Sequence, residues 1–213
     1  MQNFVFDKLN FLTAGMPLST GKASYGRAFE ILSELNLDGM ELEFVHGVRM
    51  SDETRELVKN ERETRKFILT AHAPFYVNLN SQEEDKVEAS VQRIIETGLA
   101  AQATGAFSIT FHAAFYMKQE KEEVYNKVRN RVAEISDFFK KNNINVWIRP
   151  ETTGKGTQWG DLEEIIRLSK EFEQVLPCID FSHLHARSAG EYNTYDEFSR
   201  VLEKLGKEVG QYA

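Results

Sequence analysis

All five histidines of this 213-residue sequence lie at or just beyond the carboxyl end of a predicted strand, and two acidic residues share that position. The histidines are His46, His72, His112, His183 and His185, and the acidic residues are Glu151 and Asp180. In parallel α/β barrels these strand ends form the catalytic face. Imidazoles and carboxylates that converge there can hold zinc, manganese or iron. The sequence therefore predicts a metal site formed by His72, His112, Glu151, Asp180 and His183.

Each histidine also has a simpler interpretation, as a hydrogen-bonded structural residue. For His46 and His185 taken alone, that interpretation is favoured. If the other five residues were also merely structural, all five would stand at the ends of four strands by coincidence. A shared site is therefore favoured for them. Cys178 precedes Asp180 by two residues and points to the same side of an extended strand. A buried core cysteine is nevertheless expected more often than a cysteine ligand.

Six short apolar runs, most of them nearly continuous, predict strands that are buried on both faces, as in a parallel sheet. They span residues 10–16, 39–45, 67–72, 106–112, 144–151 and 176–183. Amphipathic helices lie between them, and three of these helices begin with the spacing of a capping box, at Ser81–Glu84, Asp161–Glu164 and Thr194–Glu197. The alternation predicts an α/β fold with six βα units, where a closed (β/α)₈ barrel has eight.

The composition excludes several classes of protein. The chain is 41% hydrophobic, so it can form a real core, and no apolar run approaches the roughly 18 residues that span a bilayer. Its lone cysteine, Cys178, forms no internal disulfide and fits a reducing compartment, so we expect a cytoplasmic location and no membrane partner. The net charge of −7 argues against binding nucleic acid by bulk charge, but not against a metal-dependent enzyme.

Further residues on the same predicted face suit contacts with a phosphorylated substrate. Arg49 follows the second strand, and Phe75 and Tyr76 follow His72. An arginine beside aromatic rings suits phosphate and base contacts. The glycine-rich segment 151–160 connects the fifth strand to a helix and lacks the spacing of a phosphate-binding P-loop.

Four segments around these residues resemble the endonuclease IV family, the metal-dependent apurinic/apyrimidinic endonucleases on a TIM (β/α)₈ barrel. They are residues 72–79 (HAPFYVNL), 111–112 (FH), 150–160 (PETTGKGTQWG) and 178–183 (CIDFSH), and the order and spacing hold from about residue 11 to 190. The Asp-x-x-His element alone is shared with the xylose-isomerase-like sugar isomerases and epimerases. The histidines of the third and fourth strands favour the endonuclease.

The resemblance implies specific roles in a site of up to three Zn²⁺ ions, with Mn²⁺ as an alternative. His72, His112 and Glu151 hold the first ion, Glu151 bridges to a second ion that Asp180 also binds, and His183 belongs to the third. The implied reaction is hydrolysis of the phosphodiester 5′ to an abasic site in double-stranded DNA, with Glu151 as the catalytic residue. Arg49, Phe75 and Tyr76 are the implied substrate contacts, although the family often has tyrosine where Phe75 stands.

The resemblance also implies ligands that are absent here, because the family takes further histidine, aspartate and glutamate ligands from strands seven and eight. No histidine follows His185. We therefore expect residues 1–213 to be one C-terminally truncated domain of a longer protein, which is a monomer when complete. Two alternatives stay open: a sugar isomerase or epimerase with one divalent ion, and a non-catalytic interaction protein.

Overall fold

The computed structural model describes residues 8–21 and 24–210 of the chain. Its strands are β1 (Leu12–Ala14), β2 (Gly39–Glu43), β3 (Ile68–His72), β4 (Ser108–Phe111), β5 (Ala114–Phe115), β6 (Trp147–Pro150) and β7 (Gln158–Trp159). Five of them form one parallel sheet in the order β1-β2-β3-β4-β6. The short strands β5 and β7 follow β4 and β6 and pair antiparallel with each other. The predicted α/β class with a parallel sheet is therefore confirmed.

Helices follow the strands of the parallel sheet. They are α1 (Tyr25–Glu34), α2 (Asp52–Arg65), α3 (Glu84–Thr104), α4 (Lys121–Lys141), α5 (Leu162–Glu171), α6 (Phe181–Arg187) and α7 (Tyr195–Glu208), with a short 3₁₀ helix at Leu18–Thr20. The predicted apolar stripe of α4, which runs from Val124 to Phe139, is fully buried in the main core. Of the helices that the structure describes, none is long and apolar enough to cross a membrane.

The strand register brings the carboxyl ends of the central strands to one edge. His72, the last residue of β3, is paired with Thr110, and Phe111, the last residue of β4, is paired with Pro150. All four residues of β4 are buried, as expected for a strand that is covered on both faces. The residues that follow β4 and β6 therefore lie beside the end of β3.

The predicted sixth strand, residues 176–183, is wrong over its second half. Parallel bridges do join this segment to β6 and the residue after it, between Val175 and Ile148 and between Cys178 and Glu151. The Leu176 and Cys178 N–H groups donate to the carbonyls of Ile148 and Pro150, but Pro150 has no N–H to donate back between them, so no regular ladder forms. The chain then turns at Asp180, whose side chain accepts from the His183 N–H at 2.9 Å and caps α6. His183 and His185 consequently lie on a helix instead of a strand.

Two of the three predicted capping boxes are confirmed. Asp161 caps α5 and Thr194 caps α7, in each case with reciprocal bonds to the glutamate three residues later. The third is wrong, because α3 begins at Glu84 with Glu83 in the N-cap position. Ser81 lies in the turn before it and accepts from the Glu83 N–H at 3.3 Å.

Candidate metal centre

Five side chains converge at the carboxyl edge of the sheet. His72 ends β3, and His112 and Glu151 come directly after β4 and β6. Asp180 caps α6 and His183 lies in its first turn. The structure thus brings together the five residues that the sequence predicted as metal ligands.

Glu151 lies at the centre of the cluster and is only 6% exposed. Its Oε2 atom is 3.2 Å from His72 Nε2 and 3.1 Å from His112 Nε2. Its Oε1 atom is 3.1 Å from His183 Nδ1, which is also 3.5 Å from Asp180 Oδ2. The two carboxylate oxygens therefore face different halves of the cluster.

These halves form two overlapping groups that could each hold a metal ion. One ligand atom from each of His72, His112 and Glu151 lies within 4.8 Å of the others, and the same is true of Glu151, Asp180 and His183. Imidazole and carboxylate donors suit zinc and manganese. Glu151 belongs to both groups, so the donor set fits a pair of ions that share one carboxylate.

Backbone carbonyls orient two of the imidazoles. His72 Nδ1 lies 2.7 Å from the Ala73 carbonyl oxygen, and His183 Nδ1 lies 2.8 Å from that of Thr152. Because a carbonyl only accepts, each Nδ1 carries the proton. Bonds of this kind fix the ring and its tautomer in metal sites. In His72 the bond leaves Nε2, the atom that faces Glu151, to hold an ion.

The charges of the cluster shift two pKa values in opposite directions. Burial alone would raise the pKa of Glu151, but the hydrogen bonds and charges of His112 and His72 outweigh it and lower the pKa to about 2. Burial would lower the pKa of His72, but Glu151 and the Ala73 carbonyl raise it to about 9. At neutral pH the ion-free cluster therefore holds a Glu151 carboxylate and a His72 imidazolium, and an ion must displace that proton.

Cys178, His46 and His185 lie outside both groups. Burial raises the pKa of Cys178 to about 11, so its thiol stays protonated near neutral pH. The ring of His46 contacts that of Phe75 at 5.9 Å between centroids, and His185 Nδ1 donates to the Glu191 carbonyl at 2.8 Å.

The predicted substrate contacts are on the surface. Phe75 is 63% and Tyr76 41% exposed, and their rings meet edge to face at 5.2 Å. The guanidinium of Arg93, on α3, lies 4.6 Å from the centre of the Tyr76 ring. Arg49 is exposed between β2 and α2, and within the described residues it takes part in no hydrogen bond or ion pair. The structure thus joins the two aromatic residues.

Glu41, an acidic residue inside β2, was not among the site residues predicted from the sequence. It accepts a hydrogen bond from Thr70 Oγ1 at 3.1 Å, and burial raises its pKa. The available signal was the alternation Met40-Glu-Leu-Glu43, which places two acidic side chains on one side of an otherwise apolar strand.

A parallel sheet whose strands follow one another in chain order, with candidate metal ligands at its carboxyl edge, is typical of the TIM-barrel class of α/β proteins. The sequence profile of the xylose isomerase-like TIM barrel family matches residues 29–211, and the chain belongs to this family. Five paired strands and the bridged segment at residues 175–178 account for six of the eight strand positions of such a barrel.

Three related sequences extend this result. The uncharacterized protein MJ0133 of Methanocaldococcus jannaschii is 44% identical over 205 residues, which are 96% of this chain and 73% of that protein. A probable endonuclease 4 of Clostridium botulinum is 24% identical over 75% of this chain, and an apurinic-apyrimidinic endonuclease of Caenorhabditis elegans is 28% identical over 67% of it. The chain spans 57% and 36% of these two endonucleases.

Solved structures with different activities resemble the chain equally well. Endonuclease IV from Thermus thermophilus matches with a TM-score of 0.73 and 20% identity, over 96% of this chain and 73% of that one. A D-tagatose 3-epimerase-like protein matches with a TM-score of 0.72 and 17% identity, over 94% and 72%. At these identities the likeness shows the fold alone, so the activity must be argued from the site.

Proposed function

We propose that this chain is a metal-dependent phosphodiesterase that cuts double-stranded DNA on the 5′ side of an abasic site. The observation that carries the proposal is the position of Glu151 in two groups of metal ligands at once. Pairs of divalent ions that share a ligand are typical of enzymes that hydrolyse phosphodiesters. The two relatives that are named as endonucleases support this choice within the family.

Each residue of the cluster has a defined part in this proposal. Bound zinc or manganese would polarise the phosphodiester, lower the pKa of a water molecule and stabilise the leaving oxygen. His72 and His112 would hold an ion on one side of the site and Asp180 an ion on the other, and Glu151 belongs to both groups. The resemblance assigns His183 to a third ion, while its position beside Glu151 and Asp180 places it in the second group.

The substrate contacts complete the proposal at the surface. Phe75 and Tyr76 present two exposed rings on which unstacked bases can rest, and Arg49 offers an exposed guanidinium to a phosphate. Because the chain carries a net charge of −7, contact with DNA must be local to this face.

The test combines metal analysis with cleavage of a duplex that contains one abasic site. The zinc- or manganese-loaded chain should nick the duplex 5′ to that site and leave a 3′ hydroxyl, and a chelator should abolish this. Glu151→Gln should lose both ions and the activity, whereas Asp180→Asn should keep the ion held by His72 and His112. Asp196→Asn is the matched control, because Asp196 is an exposed residue of α7. A metal-loaded chain that leaves the duplex intact would refute the proposal.

A sugar isomerase or epimerase is the second candidate. It needs only one divalent ion at the cluster, with Glu151 as a ligand or base and His183 as a substrate contact. This candidate predicts one ion per chain and conversion of a small sugar, with no cleavage of DNA. If the chain is instead a non-catalytic interaction protein, His112→Ala should change neither metal content nor any activity.

A further inference from the structure

Arg187, at the end of α6, joins that helix to the loop of residues 152–160. Its Nη1 atom donates to the carbonyl oxygens of Thr153, Lys155 and Gln158 at 3.3, 2.8 and 3.0 Å, and lies 3.0 Å from Thr153 Oγ1. Its Nη2 atom is 3.4 Å from the Tyr116 hydroxyl. A guanidinium has several donors in a rigid plane, so one side chain fixes three points of the loop.

The same loop orients two candidate metal ligands. The Thr152 carbonyl accepts the hydrogen bond from His183 Nδ1 at 2.8 Å, and the Thr152 hydroxyl accepts from the Asp180 N–H at 2.9 Å. Gly154 of this loop packs closely against the His183 ring, since a Cβ atom at this position would lie 3.2 Å from His183 Cδ2. Any shift of the loop would therefore move the imidazole.

Arg187 and His183 are also neighbours on α6. The two residues are four apart in a helix of seven residues and so lie on one face. On the other side of the loop, buried Glu164 holds the Gly160 N–H at 2.9 Å and the Tyr116 hydroxyl at 2.8 Å. The loop is thus held between Glu164 and Arg187.

We propose that Arg187 is a positioning residue for the second half of the metal centre. It fixes the loop that orients His183 and Asp180, and thereby sets the affinity of the group of Glu151, Asp180 and His183 for a divalent ion. None of the hydrogen bonds of Arg187 described above reaches the side chains of Glu151, Asp180 or His183. Arg187 therefore acts through the loop, since it bonds Thr153 and the adjacent Thr152 bonds Asp180 and His183. The inference rests on the metal centre of the proposed function.

Zinc titration of Arg187→Met gives the first test, with Asp180→Asn used to assign the second binding step. The second ion should bind at least about tenfold more weakly, as is typical when a group behind a ligand is removed. The ion at His72 and His112 should change less than about threefold, because its ligands lie on other elements. Arg200→Met is the control, since among the described residues Arg200 bonds only within its own helix, at the Asp196 carbonyl oxygen. Equal affinities for the second ion in Arg187→Met and the native chain would overturn the proposal.

Nuclear magnetic resonance of histidine-labelled, metal-free protein gives a readout that does not depend on metal binding. In Arg187→Met the His183 Nδ1 proton should exchange with water at least about tenfold faster, while that of His72, bonded to Ala73, should be unchanged. If the native chain binds no second ion, the proposed function fails, but this signal still tests Arg187. If Arg187→Met does not fold, Arg187→Lys decides, because lysine keeps the charge but lacks the planar fork. An unchanged His183 proton in the folded variant would overturn the proposal.

Discussion

His72 and Glu151 show how one contact sets the chemistry of the cluster before any ion binds. The imidazole approaches the buried carboxylate at 3.2 Å, and each side chain favours the charged form of the other. In the ion-free chain the pair is therefore a hydrogen-bonded ion pair. This couples the stability of the fold to the protonation of a single histidine.

The metal-free chain should lose stability as the pH rises from about 6.5 to about 9. The pKa of His72 is raised from 6.5 in an unfolded chain to about 9 in the fold. A group with a raised pKa contributes fully below the lower value and loses its contribution as the pH passes the higher one. The loss is at most about 3 kcal/mol.

Urea unfolding with a chelator present, at about pH 6 and about pH 9.5, measures this loss. His72→Asn keeps a polar side chain but does not titrate there, so its profile should be flatter than that of the native chain. The difference between the two proteins isolates His72. If the free energy of unfolding fell equally with pH in the native chain and in His72→Asn, the ion pair of His72 and Glu151 would not stabilise the fold.

At the scale of the elements, the sequence predicted regular structure well where local chemistry decides it. Continuous apolar runs located the five strands of the sheet, and the capping boxes at Asp161 and Thr194 located two helix starts. In residues 176–183 a local signal was also present, since Asp180 is a residue type that caps helices, but the apolar pattern outweighed it.

At the site, the sequence predicted the candidate ligands but not the contacts that orient them. The five candidate ligands were found because histidines and acids at strand ends are unusual and converge in this architecture. The contacts of Arg187 and Thr152 join residues about 30 positions apart, and no local pattern marks them. They depend on how α6 packs against the loop after β6. Tertiary packing of this kind cannot be read from residue types and spacing.

The capping boxes give a test at the scale of the elements. Asp161→Ala should destabilise the chain by about 1 kcal/mol, because it removes a confirmed cap and leaves the Glu164 N–H without its partner. Ser81→Ala should cost less, because Ser81 lies in the turn before α3 and not at its N-cap. Denaturant midpoints of the two variants measure the difference. A larger loss for Ser81→Ala would contradict the assigned helix starts.

At the scale of the whole molecule, the metal centre joins distant parts of the chain. Its candidate ligands come from the ends of β3, β4 and β6 and from the start of α6, between residues 72 and 183. A bound ion would therefore link four elements that the unfolded chain holds apart. Ion binding should then stabilise the fold as a unit and not one helix or loop alone.

Zinc should accordingly raise the melting temperature of the native chain. An ion that binds only the folded state, at a free concentration 100-fold above its Kd, adds about 2.7 kcal/mol. For a chain of 213 residues this corresponds to a shift of roughly 5–10 °C. Scanning calorimetry with zinc and then with excess chelator measures the shift and its reversal. Glu151→Gln should show little of it, because the substitution removes the carboxylate that both groups share. If zinc shifted that variant as far as the native chain, the ion would bind elsewhere in the molecule, and the cluster at the carboxyl edge would not be its site.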